Sequence, residues 1–189
     1  MRYRIGANYG AARTTLLFQN GERFNFQQMA ATVSFEWRQS KKLTLSGSVG
    51  GLFQGRLSTT DQTFRLGPGI AASFAVSYFA LEQLKFRPFI MVSGSLAVSA
   101  VMAQPTNYFA GDVRASIASS YTFFDRLTTY LTARVFGGPV FWKGSTGTDL
   151  YHVQLGIGAV VGLPGNIDVS AEIVPLGEQR ISAGVGLSF

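Results

Sequence analysis

Few residues in this chain are equipped for bond-making chemistry. His152 is the single histidine among 189 residues, and cysteine is absent. One histidine suffices for a Ser/His/Asp site, but Leu150-Tyr151-His152-Val153-Gln154 contains neither serine nor acid, and nothing in the sequence locates partners for it. The expectation is an inward-pointing His152 hydrogen-bonded to its neighbours, with no catalytic residue, no cofactor and no metal. Lack of cysteine removes thiolate nucleophiles, disulfide scaffolds and Cys-ligated metal sites. Gly156-Ile157-Gly158 and Gly184-Val185-Gly186 have the spacing of phosphate-cradling loops, yet no helix follows either pair, so the geometry that would present backbone amides to a phosphate is missing. Glycines so placed leave room on a wall instead.

The charged residues are the richer constellation. There are 16 Lys+Arg against 10 Asp+Glu, a net charge of +6, in a chain that is only 14% charged and 47% hydrophobic. Ordinary soluble domains carry roughly 25% charged residues, so these side chains sit in unusually apolar surroundings, and a disordered chain is excluded. The basic residues alternate with small ones and are expected on an enclosed face, not in an exposed stripe, so nucleic acid is not an expected partner.

What positions them is a period of two. Met29 to Trp37 reads Met-Ala-Ala-Thr-Val-Ser-Phe-Glu-Trp, apolar at odd positions, with Ala30, Thr32, Ser34 and Glu36 between. That is a strand with one greasy and one polar face. Ten such segments are predicted, at 2–12, 27–38, 43–55, 66–79, 85–100, 110–123, 127–137, 150–163, 167–174 and 180–189. No helical spacing is sustained, and no run of about 18 apolar residues offers a transmembrane helix. Short connections alternate with longer, more polar ones, as in an antiparallel meander with a short-turn end and a long-loop end. The first long connection holds Asn20-Gly21, a type I′ hairpin signal.

The two faces are different solvents. One presents residues such as Ile5, Phe35, Ile70, Val92, Ile117, Leu131, Ile157 and Val185 and carries no charge; on strand four it includes Leu66 and Pro68. The other carries the charges among Gly, Ala, Ser and Thr. A soluble barrel would turn the greasy face inward, but ten strands of Tyr, Phe, Trp and Ile would overfill that interior. Inverting the barrel removes the conflict: apolar side chains meet lipid and the polar face lines the lumen. Tyr3, Trp37, Tyr78, Phe86, Tyr121, Phe123 and Phe189 fall near the short-turn end of the outward face, and Tyr9, Phe53, Phe141 and Tyr151 near the long-loop end. The eight steps from Met29 to Trp37 give about 26 Å of strand, or about 20 Å along the membrane normal at a tilt of roughly 40°.

The final strand ends Ser182-Ala-Gly184-Val-Gly-Leu187-Ser-Phe189. Ser182, Gly184, Leu187 and Phe189 match one for one the terminal assembly signal of bacterial outer-membrane β-barrels, which this chain resembles in architecture along its whole length. The resemblance implies an all-β, antiparallel up-and-down transmembrane barrel, residues 1–189 forming one domain of ten strands, with eight as the alternative. It also implies recognition of the last strand by the barrel assembly machinery and residence in a bacterial outer membrane. Hydrolases of that architecture place the catalytic histidine beside serine or aspartate near the outer rim, a pattern that His152 lacks. The N-terminal Met-Arg-Tyr-Arg-Ile-Gly has no signal-peptide core of about 7 to 15 apolar residues, so the expected export signal is absent from this chain.

In that frame the inward charges form two groups. Asp112, Arg114, Arg134, His152, Glu172 and Arg180 are expected at similar depth towards the long-loop end, with Glu172 directly opposite Arg180; Arg2, Arg4, Glu36, Arg38, Lys85, Arg87 and Asp168 lie towards the periplasmic, short-turn end. Each group carries surplus positive charge. Either the side chains pair into a plug, since unpaired charges in a narrow lumen are costly, or the arginines select anions in a narrow channel. Leu16, Phe18, Phe24 and Phe26 share the inward parity around the first loop, predicting an apolar lid over the mouth or a docking surface for another envelope protein. Arg13, Arg23, Arg56, Arg65 and Lys143 are placed to meet lipopolysaccharide phosphates. The functional expectation is a non-enzymatic structural anchor or subunit of a cell-envelope complex, surrounded by outer-membrane lipid and lipopolysaccharide. A narrow porin-like channel for small, anionic solutes is the second reading, an outer-membrane hydrolase the third and a soluble ligand-binding barrel the last.

Overall fold

The computed structural model describes residues 2–84, 87–103 and 106–189; Lys85 and Phe86 lie outside the described residues. The strands are β1 (Tyr3–Phe18), β2 (Arg23–Arg38), β3 (Leu43–Ser58), β4 (Thr63–Leu81), β5 (Phe89–Ala103), β6 (Tyr108–Phe123), β7 (Leu127–Gly137), β8 (Val140–Trp142), β9 (Ser145–Asp149), β10 (Val153–Leu163), β11 (Ile167–Leu176) and β12 (Gln179–Ser188). All pair antiparallel with their neighbours, and β12 returns to β1 from Arg4↔Ser188 to Arg13↔Gln179, so the sheet closes. Ten strands form the wall: β1 to β7 and β10 to β12, with β7 and β10 adjacent across the inserted β8–β9 hairpin. Closure leaves no edge with unpaired amides, the condition for a sheet in hydrocarbon.

The barrel is inside-out. Phe35, Val92 and Ile157 are exposed, at 47%, 39% and 51%, whereas the side chains of Arg114 and Arg134 keep only 23% and 15%. Outward rings gather at both ends of the apolar belt. At the short-turn end Tyr3 packs on Phe35 and Phe189, with ring centroids 5.8 and 6.0 Å apart, and Tyr121 on Phe123 at 4.8 Å; at the other end Tyr9 meets Phe53 at 6.0 Å. Phe189 also exchanges backbone hydrogen bonds with Tyr3, fastening the last residue to the first strand. The tight turns at the short-turn end use left-handed backbone: Phe124 and Asp125 (φ 51° and 55°) join β6 to β7, and Gly165 and Asn166 (φ 80° and 61°) join β10 to β11. Such turns match the twist of the strands they connect.

The upper half departs from a simple meander. β1 to β6 run beyond the belt, while β7, β10, β11 and β12 stop short. The β8–β9 hairpin fills the gap: β8 pairs with β6 (Phe109↔Phe141) and β9 with β1 (Leu16↔Asp149). A second, narrower ring of β1 to β6, β8 and β9 therefore closes above the ten-stranded one. Eight strands make a ring just wide enough for side chains to fill. The segment 141–149, expected as a loop, is this hairpin, turned at Lys143 and Gly144 (φ 51° and 75°). Its two-residue Lys-Gly turn was a readable signal.

Two bulges set which side chains enter the upper ring. On β3 the ladder steps from Gln27↔Arg56 to Met29↔Phe53, with an extra residue at Gln54 (φ 51°); on β4 it steps from Leu66↔Ala103 to Gly69↔Val101, the extra residue falling at Gly67–Pro68. One added residue inverts the alternation. Leu57 and Leu66 therefore turn inward, at 0% and 4% exposure, while Arg56 and Arg65 turn outward. Leu66 was expected against lipid, and the β4 bulge is the reason that it is not. The first hairpin also differs in detail: Gly21 alone has positive φ (81°), and its amide donates to the Phe18 carbonyl at 2.9 Å, so the turn is type I followed by a left-handed glycine, not type I′.

Leu131, 62% exposed at the middle of β7, should not tolerate a charge. Leu131→Arg is expected to cost about 2–4 kcal/mol of stability in lipid, read by denaturant titration in vesicles; an unchanged midpoint would place Leu131 away from the hydrocarbon.

Candidate functional site

The lumen is built from the small and charged residues that alternate with the lipid-facing ones. β7, β11 and β12 bring Tyr130, Arg134, Glu172 and Arg180 together. Arg134 donates from both Nη atoms to the two Oε atoms of Glu172 at 3.0 and 2.8 Å, Arg180 Nη2 donates at 2.7 Å, and the Tyr130 hydroxyl at 3.0 Å. Bidentate, charge-assisted geometry of this kind fixes both partners. Gly158 makes it possible: a methyl there would collide with the Tyr130 ring. Arg180 stands opposite Val174, and Glu172 opposite Ser182, so the pair is diagonal and not directly across as expected. The β11–β12 turn sits at Gly177–Glu178, whereas direct opposition of Glu172 and Arg180 would need a turn centred on Leu176.

A second cluster forms on the neighbouring wall. Arg114 donates through Nε to Asp112 and through Nη2 to Glu178 at 2.8 Å, while Gln154 donates to the same Glu178 oxygen at 2.9 Å. The Arg114 guanidinium also lies 5.2 Å from the Phe136 ring centroid. His152 belongs to neither cluster. It is exposed, and its Nδ1 lies 3.2 Å from the Phe136 backbone oxygen, because β10 begins only at Val153 and leaves the ring outside the narrow lumen.

At the short-turn end Arg4 alone gathers the charges. Its Nε and Nη2 donate to Asp168 at 2.9 and 2.5 Å and its Nη1 to Glu36 at 2.5 Å; the guanidinium lies over Gly186, where a side chain would displace it. Arg2, Arg38 and Arg87 are exposed at the rim, and Arg87 donates to the Glu82 carbonyl at 3.3 Å. The expected positive surplus is therefore absent from the paired core: its ion pairs join Arg4, Arg114, Arg134 and Arg180 to Glu36, Asp112, Asp168, Glu172 and Glu178, four cations to five anions among the described residues. Glu178 was missed because it lies in a turn, where strand alternation says nothing about direction.

The half of the lumen lined by β1 to β6 is different. Asn8, Thr32, Ser34, Ser48, Ser73 and Ser99 border a cavity of about 600 Å³. Glu36 and Ser46 are common to its lining and to that of a vestibule of about 510 Å³ at the short-turn end, where Arg2, Arg4 and Arg38 stand. The other end is roofed by an apolar core within the eight-stranded ring. Leu16, Phe18 and Phe24 of the first hairpin are buried there with Leu52, Leu57, Val101, Val140 and Trp142, and Phe26 stacks on Tyr108 with ring centroids 5.3 Å apart. Trp142 meets Phe24 and Phe64 edge-on at 5.2 and 4.8 Å, and Lys143 Nζ lies 3.9 Å from the Phe64 centroid. Only Leu16, Phe18, Phe24 and Phe26 of this roof were singled out in the sequence; Trp142 and Val140 arrive with the unrecognised hairpin.

Asp149, on the β9 hairpin strand outside the membrane-spanning strands, borders the cavity under this roof. Burial pushes its carboxyl up to about 6, the hydrogen bond from Thr14 opposes that, and the negative charges of Glu178 and Asp112 add to it. The last strand closes the barrel on β1: its Leu187, with the terminal Phe189, faces outward, and its Ser182 and Gly184 line the lumen wall.

No family model and no curated protein matches the chain. Solved structures do. It aligns over 100% of its length with 89% of the translocator domain of the autotransporter NalP from Neisseria meningitidis (TM-score 0.56, 14% identity). It also aligns over 100% with 97% of the outer-membrane protease OmpT from Escherichia coli (TM-score 0.56, 8% identity) and with 96% of an outer-membrane channel from Pseudomonas putida F1 (TM-score 0.50, 12% identity). The fold is that of the outer-membrane β-barrels. At these identities the likeness is one of fold alone.

Two measurements follow. Glu172→Gln leaves Arg134 and Arg180 without their carboxylate and should cost about 3 kcal/mol in urea titration from vesicles, whereas no loss would mean that the cluster is solvated. Asp149 binds its proton more tightly folded than unfolded, so stability should fall as pH rises from about 4 to about 6. Asp149→Asn should remove that contribution, seen as a flatter stability profile across the same window.

Proposed function

We propose that this protein resides in a bacterial outer membrane as a non-enzymatic structural barrel, an anchor or subunit of a cell-envelope complex. The observation that carries the reading is the apolar roof: a ring of eight strands filled by Leu16, Phe18, Phe24, Leu57 and Trp142 closes the long-loop end above a lumen whose other half is occupied by ion-paired side chains. A solute path would have to cross that core. The contact of His152 Nδ1 with the Phe136 backbone oxygen favours the non-enzymatic reading over a hydrolase. The terminal Ser182, Gly184, Leu187 and Phe189, with the last strand sealing the barrel, support recognition by the assembly machinery during insertion.

The second reading, a narrow passive channel, is favoured by the chamber that shares Glu36 and Ser46 with the short-turn vestibule and by a fold shared with a bacterial channel. Recording in planar bilayers separates the two. The protein is expected to be electrically silent, and Phe24→Ala combined with Trp142→Ala to produce resolvable openings, with heat-modifiable gel migration confirming that the variant is folded. Stable open steps from the unaltered protein would install the channel reading instead.

A further inference from the structure

An outward-facing row of donors crosses five strands just above the apolar belt. The pairings Gln179↔Arg13, Arg13↔Gln27, Gln27↔Arg56 and Arg56↔Arg65 place these residues side by side on β12, β1, β2, β3 and β4. Neighbouring strands lie about 4.8 Å apart, so the row spans about 19 Å. All three arginines are exposed, and none enters an ion pair among the described residues. Arg56 and Arg65 are directly opposed like charges, an arrangement that destabilises a sheet unless an anion lies between them. It is not an accident of alternation, because it takes the two bulges, at Gln54 and at Gly67–Pro68, to turn both residues outward.

The surface around the row is concave. β12 ends beside Arg13 while β1 to β4 continue upward, and the step between the short and tall walls leaves a groove of about 980 Å³ bordered by all three arginines. Two residues nearer the membrane middle, about 7 Å along the strands, the same strands present Ile181, Ala11, Met29 and Phe53. A cationic, hydrogen-bonding row over an apolar row is the mould of an amphiphile with an anionic head. Guanidinium forks suit phosphate oxygens, and the glutamines, able to donate and accept, suit sugar hydroxyls.

We propose that this groove binds a phosphorylated glycolipid of the outer leaflet, its phosphates on Arg13, Arg56 and Arg65 and its acyl chains against Met29 and Ile181. The site rests on the membrane placement proposed above, which fails separately if the protein is monodisperse without detergent.

The test is native mass spectrometry of the full chain from detergent micelles, offered a diphosphorylated glucosamine-disaccharide lipid (lipid A), its dephosphorylated form, phosphatidylglycerol or inorganic phosphate. Lipid A is expected to be retained, with about tenfold or greater loss on removing its phosphates and a similar loss for the triple variant Arg13→Gln, Arg56→Gln, Arg65→Gln. Arg56→Lys should fall between, keeping charge without the fork. Arg38→Gln with Arg87→Gln, at the opposite rim, should bind as the unaltered protein does. Unchanged retention by the triple variant, equal retention of phosphatidylglycerol, or displacement of lipid A by millimolar inorganic phosphate would each overturn the assignment.

Discussion

In hydrocarbon a backbone amide or carbonyl has no water to turn to, so each must find its partner within the sheet. That constraint makes the pairing of β12 with β1 the condition for everything else in this molecule. Once the ladder closes on itself, the backbone is satisfied irrespective of side chains, and the side chains only have to sort between two solvents. Lipid takes Ile70, Leu131 and Val185; the lumen takes glycine, serine and four arginines, Arg4, Arg114, Arg134 and Arg180. A charge inside such a tube is tolerable because carboxylate and guanidinium can be held at hydrogen-bond distance by neighbouring strands, as Glu172 is by three donors from β7 and β12.

The two tiers solve opposite problems with the same strands. In the ten-stranded tier the interior is too wide for apolar side chains to pack without voids, and ion pairs and a residual chamber occupy it. Above, the perimeter drops to eight strands, and the interior becomes a conventional core of Phe, Leu and Trp. The transition needs no separate domain. It needs one short hairpin, β8–β9, and two inserted residues that exchange the inner and outer faces of β3 and β4.

Much of this was legible in the residues because a period of two has only two phases. The ten strands of the wall, the inverted faces of Phe35 or Ile157, the inward parity of Phe18 and Phe24 and the function of Gly158 and Gly186 as space all follow from alternation. What escaped lies where alternation breaks. Leu66 was assigned to lipid because a bulge adds one residue without changing composition, although Pro68 inside a strand was a usable warning. Glu178 was overlooked because a turn carries no phase. The surplus of lumen arginine disappeared for the same reason: strand ends leave Arg2 and Arg38 at the rim, while a turn contributes an acid to the interior.

β1 has two different partners along a single edge, β12 for its lower part and β9 for its upper part. The line where the wall is sewn shut therefore has a second fastening that belongs to a different stretch of chain. Were the lower stitching to part sideways into the bilayer, β1 would stay tethered to β6 through the hairpin, and the opening would be a slit stopped at one end, not a sheet falling open.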